Sequence, residues 1–191
     1  MRILIACERS GVVRDAFLSR GHVAVSCDLV ESEVEGPHYT VDALTLTQTQ
    51  PWDMMVAFPP CTHLSVSGAR YFAEKRADGR QQAALQFVRD LMAAPIPRIA
   101  IENPVGIIST QIRRPDQIIQ PWQFGEDASK KTCLWLKNLP PLMATGILVK
   151  KRYANQTPSG QNKLGPSATR AMERSRTYQG IAEAMASQWG G

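Results

Sequence analysis

The chain has 191 residues, of which 43% are hydrophobic and 20% are charged, and its formal net charge is +5. This length and balance are those of one globular domain. They exclude a membrane-spanning protein, because no apolar run approaches the roughly 20 residues that a spanning helix needs. We therefore predict a single domain over residues 1–191 with no membrane partner, and the mild excess of positive charge favours anionic partners.

The start of the sequence and its cysteines predict an intracellular protein. Charged residues follow the first apolar run already at Glu8 and Arg9, which is too early for the apolar region of a signal peptide. The four cysteines are scattered, with neither a C-x-x-C pair nor a histidine at zinc-like spacing. We accordingly predict no disulfide framework and no metal site, and we expect a cytoplasmic location.

Hydrophobic periodicity predicts a chain in which strands and helices alternate. The predicted extended segments cover residues 2–7, 22–29, 40–44, 54–58, 99–101, 132–136 and 146–149. The predicted helices cover residues 11–20, 72–94 and 178–189, and Gly79 marks an alternative start for the second of them. This alternation predicts an α/β fold with a mostly parallel sheet, right-handed crossovers and helices on both faces.

Polar or reactive residues follow four of the predicted strands. In chain order they are Glu8, Ser10, Gly11, Asp28, Cys61, Glu102 and Asn103. Ligands of open α/β sheets bind beyond the carboxyl ends of the strands. We therefore expect these residues to share one site.

The position of Cys61 indicates a reactive thiol. The strand over residues 54–58 ends at Pro59 and Pro60, which lack the N–H groups that a sheet ladder needs, and Cys61 follows on the resulting turn. A buried cysteine usually lies among aliphatic residues, which is our interpretation of the other three cysteines. A cysteine that is exposed on a turn near positive dipoles can instead have a lowered pKa and act as a nucleophile.

The first strand, turn and helix predict a nucleoside site. The segment ACERSGVVRDAF passes from strand to helix, and Asp28 follows Gly11 by 17 residues. An acid after the second strand commonly binds ribose hydroxyls in doubly wound folds. The segment lacks a complete G-x-G-x-x-G, so we expect a nucleoside without phosphates, such as S-adenosylmethionine.

Two motifs resemble those of the DNA cytosine-5 methyltransferases. The segment FPPCTHLSVSG is similar to the nucleophile motif of that family, which it matches at Pro60, Cys61, Ser65 and Gly68. The later segment IENP resembles the Glu-Asn-Val motif of the family, with Pro104 in place of Val. The motifs also follow the order of the family, and the resemblance covers roughly residues 1–136.

The resemblance implies a Rossmann-like class I methyltransferase fold, with S-adenosylmethionine as cofactor and duplex or single-stranded DNA as partner. It implies catalytic roles for Cys61, Glu102 and Asn103, and a place near the substrate for Ser65. It further implies cofactor contacts from Glu8, Ser10, Gly11, Asp28, Asp42 and Pro59. Compact forms of this kind resemble phage and prophage proteins, which implies a bacterial host cell.

The chemistry of cytosine gives a physical reason for these residue types. Carbon 5 is a poor nucleophile, but a thiolate that adds to carbon 6 breaks the aromaticity of the ring and makes carbon 5 enamine-like. Cys61 supplies the thiolate in this hypothesis, and Glu102 hydrogen-bonds or protonates ring nitrogen 3. Two interpretations stay open: Glu102 as a helix cap or ion-pair partner, and His63 as a structural residue.

The sequence departs from the family pattern at three places. The glycine-rich opening of the family, Phe-x-Gly-x-Gly-Gly, keeps only its last glycine, with Glu8 and Ser10 at the other two glycine positions. The basic catalytic motif has no clear counterpart, and its candidates are Lys130, Lys131 and Arg152. Finally, only about forty residues separate Lys131 from the last helix, where the family places a target-recognition region.

Residues 150–176 form a basic, loop-rich segment. Its basic residues are Lys150, Lys151, Arg152, Lys163, Arg170, Arg174 and Arg176, against one acid. We predict a phosphate-binding surface, with a solvated loop as the alternative. So short a segment can make few base-edge contacts. Either a short and loose segment recognises the target, or the substrate is single-stranded, or a partner or a second copy of the chain supplies the specificity.

Two other functions remain as hypotheses. A methyltransferase acting on free pyrimidine nucleotides needs Cys61 and Glu102 but little basic surface, so residues 150–176 argue against it. A non-catalytic nucleic-acid-binding relative tolerates the loss of Cys61, so the presence of both residues argues against that alternative.

Overall fold

A computed structural model describes residues 1–164, 173 and 175–191 of the protein. The strands in this part are β1 (Arg2–Ala6), β2 (Val23–Asp28), β3 (His38–Thr40), β4 (Met54–Ala57), β5 (Arg98–Pro104), β6 (Gln117–Ile119) and β7 (Thr132–Lys137). The helices are α1 (Val12–Leu18), α2 (Ala43–Leu46), α3 (Phe72–Ala77), α4 (Arg80–Ala93), α5 (Ile108–Gln111) and α6 (Gln179–Trp189). Short 3-10 segments cover Val66–Tyr71 and Pro121–Gln123.

Within the described residues, the strands form one sheet in the order β3-β2-β1-β4-β5-β7-β6. The first five strands pair in parallel, and β7 runs antiparallel to both β5 and β6. The strand order reverses between β1 and β4, and such a reversal is where open α/β sheets bind ligands. The predicted α/β fold, a Rossmann-like and mostly parallel sheet with helices on both faces, is confirmed.

The core lies on both faces of this sheet because alternate side chains of each strand point to opposite faces. In β1, Ile3 and Ile5 pack with α1 and α6 on one face, whereas Leu4 and Ala6 pack with α4 on the other. All four residues of β4 are buried, as expected for a central parallel strand covered by helices on both sides. The two layers hold the strand ends in place for the site.

Several predicted elements differ from the observed ones. The predicted helix over residues 72–94 is two helices, because Gly79 adopts a left-handed conformation (φ 80°) between α3 and α4. The predicted extended piece at residues 40–44 ends early, since the Asp42 carboxylate accepts a hydrogen bond from the Leu44 N–H and caps α2. Strand β6 was not predicted from the sequence, because it is only three residues long.

The predicted strand over residues 146–149 is wrong. Only Gly146 forms an isolated bridge, with Phe124, and the side chains of Ile147 and Val149 are 64% and 86% exposed. This part of the chain is held by other contacts: the Leu148 N–H donates to the Trp122 carbonyl at 2.8 Å. The Tyr153 ring stacks on Trp122 with 6.2 Å between centroids.

Two kinds of feature are absent from the described residues. None of their helices combines the length and the apolar character needed to cross a bilayer. Nor do they contain a group of three or more His, Cys, Asp or Glu side chains arranged to hold a metal ion.

Candidate active site

The carboxyl ends of four neighbouring strands meet at one edge of the sheet. Ala6 of β1 is level with Cys27 of β2 and Ala57 of β4, and Ala57 is level with Ile101 of β5. The residues that follow these positions therefore emerge side by side. They include the predicted site residues Glu8, Ser10, Gly11, Asp28, Pro59, Cys61, Glu102 and Asn103.

Cys61 lies on a turn that exposes it to solvent. The Cys61 carbonyl accepts hydrogen bonds from the N–H groups of Leu64 at 3.0 Å and Ser65 at 2.9 Å, which close the turn behind it. On the other side, the Asn103 amide donates to the carbonyl of the buried Pro59 at 2.7 Å. The backbone is thus fixed on both sides of the cysteine, and none of the four cysteines is in a disulfide.

The loop after β4 is joined to the loop after β5. The Val66 N–H donates to the Val105 carbonyl at 3.1 Å, and the Ile107 N–H donates to the Leu64 carbonyl at 2.9 Å. Gly106 lies in this contact, and a Cβ there would be 2.2 Å from the Leu64 oxygen, so only glycine fits. Gly106 was not among the site residues predicted from the sequence, although a glycine so soon after a strand indicates that another segment of backbone approaches closely.

Glu102 follows the last core residue of β5 and is half-buried. Burial raises the pKa of its carboxyl above the ordinary glutamate value, and the charge of Lys130 and a hydrogen bond from the Thr132 hydroxyl act in the opposite direction. Glu102 neither caps a helix nor forms an ion pair within 4.0 Å among the described residues. A carboxyl with a raised pKa retains its proton to higher pH, as a proton donor requires.

Asn103 is buried, with 1% of its surface exposed, and its side-chain oxygen has no hydrogen-bond partner in the described part of the chain. Its amide nitrogen is the group bound to Pro59. Asn103 therefore ties the end of β5 to the turn that carries Cys61. Through this hydrogen bond the Asn103 side chain positions the turn that carries Cys61.

The predicted substrate residues lie in different surroundings. Lys130 is close enough to Glu102 to influence its pKa, and its ammonium donates to the Arg176 carbonyl at 3.5 Å. Lys131 and Arg152 are exposed. The hydroxyl of Ser65 is turned to its own loop, 3.0 Å from the Ser67 hydroxyl, where it caps the 3-10 segment. Of the three basic candidates, Lys130 is thus the one beside Glu102.

Glu8 fills the N-terminus of α1. Its carboxylate accepts hydrogen bonds from the Val13 N–H at 2.8 Å, the Arg14 N–H at 3.4 Å and the Ser10 hydroxyl at 3.1 Å. Burial raises the pKa of this carboxyl, and these hydrogen bonds oppose the rise. A helix N-terminus is ordinarily suited to a phosphate. Here a carboxylate already occupies it, so the site disfavours a phosphorylated ligand.

Gly11 and Arg14 hold the loop between β2 and β3 against this helix. Gly11 has a left-handed backbone (φ 74°), and a Cβ there would lie 2.5 Å from the Val34 side chain. Arg14 is fully buried and donates to the Glu35 carbonyl at 2.7 Å and to Asp15 at 2.7 Å. The sequence analysis did not single out Arg14, because an arginine at a helical position is usually exposed.

Two acids lie beside two thiols at the same edge of the sheet. The carboxylates of Asp28 and Asp42 both contribute to raising the pKa of Cys7 and of Cys27, after burial, and the pKa of Cys27 rises to about 11. Asp28 also accepts a hydrogen bond from the Val30 N–H at 3.3 Å. With Glu8 nearby, this edge is rich in carboxylates. Its chemistry suits a ligand that offers hydroxyl donors and positive charge.

The basic segment over residues 150–176 is partly neutralised. Lys150 pairs with Asp127 at 2.5 Å, and Arg176 pairs with Glu33, which also pairs with Arg9 at 3.1 Å. Lys151, Arg152 and Lys163 are exposed. Arg170 and Arg174 lie outside the described residues. The phosphate-binding surface that we predicted therefore has fewer available charges than the sequence suggested.

No protein-family model matches the chain, and no curated protein matches its sequence. Among solved structures, the crystal structure of a candidate DNA modification methyltransferase encoded within an E. coli prophage matches with a TM-score of 0.47 and 13% sequence identity. The match covers 71% of this chain and 46% of the other, so the chain spans less than half the length of that protein.

Proposed function

We propose that this protein transfers a methyl group from S-adenosylmethionine to carbon 5 of cytosine in DNA. One observation carries the proposal: Cys61 follows β4, Glu102 lies near the carboxyl end of the neighbouring parallel strand β5, and the loops that follow these two strands are bonded to each other. A nucleophile and a proton donor at one strand edge can attack and polarise the same ring. The chemistry needs both functions at once.

The residues divide the chemical work as follows. The Cys61 thiolate adds to carbon 6 of cytosine, which makes carbon 5 nucleophilic. Glu102 donates a hydrogen bond or its proton to ring nitrogen 3, and its raised pKa suits it to that step. Lys130 lies beside Glu102 and stabilises the carboxylate that remains. Asn103 holds the turn of Cys61 through the Pro59 carbonyl.

The carboxylate-rich edge would hold the cofactor. S-adenosylmethionine supplies an electrophilic methyl group on a positively charged sulfur, and it carries ribose hydroxyls but no phosphates. Asp28 at the end of β2 would accept hydrogen bonds from the ribose, and Asp42 would lie near the base. Glu8 favours a cationic ligand over a nucleotide, because it already occupies the helix N-terminus with a negative charge.

The direct test is a methyl-transfer assay with tritiated cofactor on four substrates: duplex DNA, single-stranded DNA, RNA and dCMP. We expect incorporation into DNA, recovered after nuclease digestion as 5-methylcytosine by mass spectrometry. Transfer to dCMP alone would establish the free-nucleotide alternative. A methyl group on an exocyclic nitrogen of cytosine or adenine would overturn the assigned chemistry, and transfer to none of the four would reject the activity.

Cofactor binding should depend on Asp28. We expect Asp28→Ala to weaken the binding of S-adenosylhomocysteine by roughly 1.5–3 kcal/mol, the usual contribution of a hydrogen bond to a charged group. Isothermal titration calorimetry measures the change. Asp90→Ala is the matched control, because Asp90 is an exposed acid on α4 whose carboxylate accepts a hydrogen bond from the Gln86 amide. Equal affinity for Asp28→Ala and the wild type would place the cofactor elsewhere.

DNA binding should depend on the exposed charges of the basic segment. We expect the double variant Lys151→Ala/Arg152→Ala to reduce the slope of log K against log salt by up to roughly two units on duplex DNA, because each lost phosphate contact retains its counterion. Lys150 is left unchanged because it already pairs with Asp127. Fluorescence anisotropy with a duplex and a single strand over a salt series gives the slopes.

The control for this experiment is the double variant Arg20→Ala/Lys137→Ala. Arg20 follows α1, and Lys137 is level with Ile99 at the start of β5, so both lie at the opposite edge of the sheet from Cys61. We expect the control slope to equal that of the wild type, and cofactor affinity to be unchanged in both variants. If the two double variants gave the same slope, the surface over residues 150–176 would not contact DNA.

A further inference from the structure

We propose that Lys75 is a positioning residue for Cys61, whose buried ammonium holds the nucleophile turn and favours the thiolate form of the cysteine. The inference rests on the proposed function only in giving the thiolate a purpose. The arrangement itself is a property of the folded chain, and its test needs neither cofactor nor DNA.

Lys75 is the one buried side chain of α3 and is only 8% exposed. Its ammonium reaches back over the 3-10 segment and donates a hydrogen bond of 2.6 Å to the carbonyl of Thr62, the residue after Cys61. A Cβ on Gly68 would lie 3.4 Å from this nitrogen, so the glycine leaves room for the ammonium. The Tyr71 ring covers it from 5.8 Å.

A buried lysine without a carboxylate partner costs free energy. No acidic side chain lies within 4.0 Å of the Lys75 ammonium in the described part of the chain. Thr62 offers a carbonyl dipole, which satisfies one of three donors but carries no charge. Cys61 directly precedes Thr62, so we expect a thiolate at Cys61 to be stabilised by the positive charge of Lys75.

Other charged and titratable groups surround the turn. His63 lies in the turn itself, and Arg70 and Tyr71 lie on the 3-10 segment, where the Arg70 guanidinium is 4.6 Å from the Tyr71 ring centroid. Glu102 lies near the end of the adjacent strand β5. At the junction of α3 and α4, the two acids Glu74 and Asp78 both pair with Arg80.

Deprotonation of Cys61 balances simply: the thiol proton passes to water, since the residue is exposed, and the electron pair stays on Sγ. Iodoacetamide then reports the thiolate, because a sulfur–carbon bond forms while the carbon–iodine bond breaks and iodide leaves. The rate of alkylation against pH gives the midpoint of thiolate formation. Peptide mass spectrometry assigns the label to Cys61 and separates it from Cys7, Cys27 and Cys133.

We expect the midpoint of wild-type Cys61 to lie below the ordinary cysteine value of about 8.5. In Lys75→Met we expect it to rise by about one pH unit, as follows from removing a unit charge several ångströms away at an intermediate effective dielectric. At neutral pH the alkylation rate should fall about three- to fourfold rather than tenfold, because a more basic thiolate is intrinsically more nucleophilic.

Three controls separate a charge effect from a loss of structure. Lys75→Arg keeps the cation and should restore the midpoint toward the wild-type value. Arg76→Met removes an exposed neighbouring cation from α3 and should leave the midpoint unchanged. Cys27 and Cys133 are buried, so their protection from alkylation reports that each variant remains folded.

The outcomes decide two questions independently. A wild-type midpoint at or above the ordinary value, or a folded Lys75→Met with an unshifted midpoint, overturns the inference about Lys75. If Lys75→Met does not fold, the wild-type midpoint and Lys75→Arg still decide it. A shifted midpoint in a protein that methylates no cytosine would uphold the role of Lys75 and reject the proposed function instead.

Discussion

Cys61→Ser is expected to reduce methyl transfer to cytosine to background, while the fold and the binding of S-adenosylhomocysteine remain close to wild type. The hydroxyl of serine is far less acidic than a thiol, so the nucleophile that adds to carbon 6 is lost. Cys61 is exposed on its turn, and its removal opens no core cavity. Incorporation of tritium into DNA measures the loss, and thermal unfolding with calorimetry checks that the rest of the site is intact.

Cys133→Ala is the matched control, because Cys133 is a buried thiol on β7, opposite Asn103 in the sheet ladder. We expect it to lose some stability but to retain methyl transfer. A second measurement uses DNA that contains 5-fluorocytosine, whose fluorine cannot leave as a cation, so the covalent adduct persists. We expect a covalent complex with the wild type and none with Cys61→Ser. Full activity of the serine variant would remove Cys61 from the mechanism.

Glu102→Gln is expected to lower the rate of methyl transfer by about 10²-fold or more, the usual contribution of a positioned proton donor. The same change should stabilise the fold at neutral pH. Burial raises the pKa of Glu102, so the folded protein holds this proton more tightly than the unfolded chain does. Stability from this group is therefore complete below the ordinary glutamate pKa and is lost as the pH rises through the folded pKa.

The glutamine variant does not titrate, so it should unfold at a higher temperature than the wild type near pH 7. A gain of 1 kcal/mol corresponds to about 2–4 °C in a chain of this size. The difference should shrink as the pH falls through the raised pKa of the folded protein, and it should be absent below about 4.3, the ordinary glutamate value, where both side chains are neutral. Glu183→Gln, an exposed change on α6, is the control and should show no such pH dependence. A glutamine variant of unaltered stability would show that burial imposes no cost on Glu102.

The strands and helices with a regular hydrophobic pattern were predicted from the sequence. Alternating apolar residues located β1, β2, β4 and β5, and the last helix was predicted within one residue of α6. Because parallel strands end at a common edge, the position of Cys61 and Glu102 at that edge could be predicted from the strands that carry them. The edge at which a strand-end residue lies can be predicted in this way, because that edge is common to all parallel strands of the sheet.

Contacts between loops could not be predicted in the same way. Lys75 reads in the sequence as one more charge on a helix, and its burial depends on how the 3-10 segment folds back to Thr62. The bond from Asn103 to Pro59 joins residues 44 positions apart and leaves no local pattern. The strand predicted at residues 146–149 failed for a related reason: its apolar residues face solvent, and no neighbouring strand pairs with them in the described structure.

The contact between Glu33 and Arg176 affects which insertions the chain can accept during evolution. The Glu33 carboxylate binds Arg176, while Asn155 is bound on both sides of its amide to the backbone of Ser129. Asn155 and Arg176 are thus both held by the folded body, and the entropic cost of fixing the two ends of a chain segment grows only with the logarithm of its length. A doubling costs about 0.6 kcal/mol. Insertions between Asn155 and Arg176 should therefore cost little stability and leave the strand edge that carries Cys61 and Glu102 untouched.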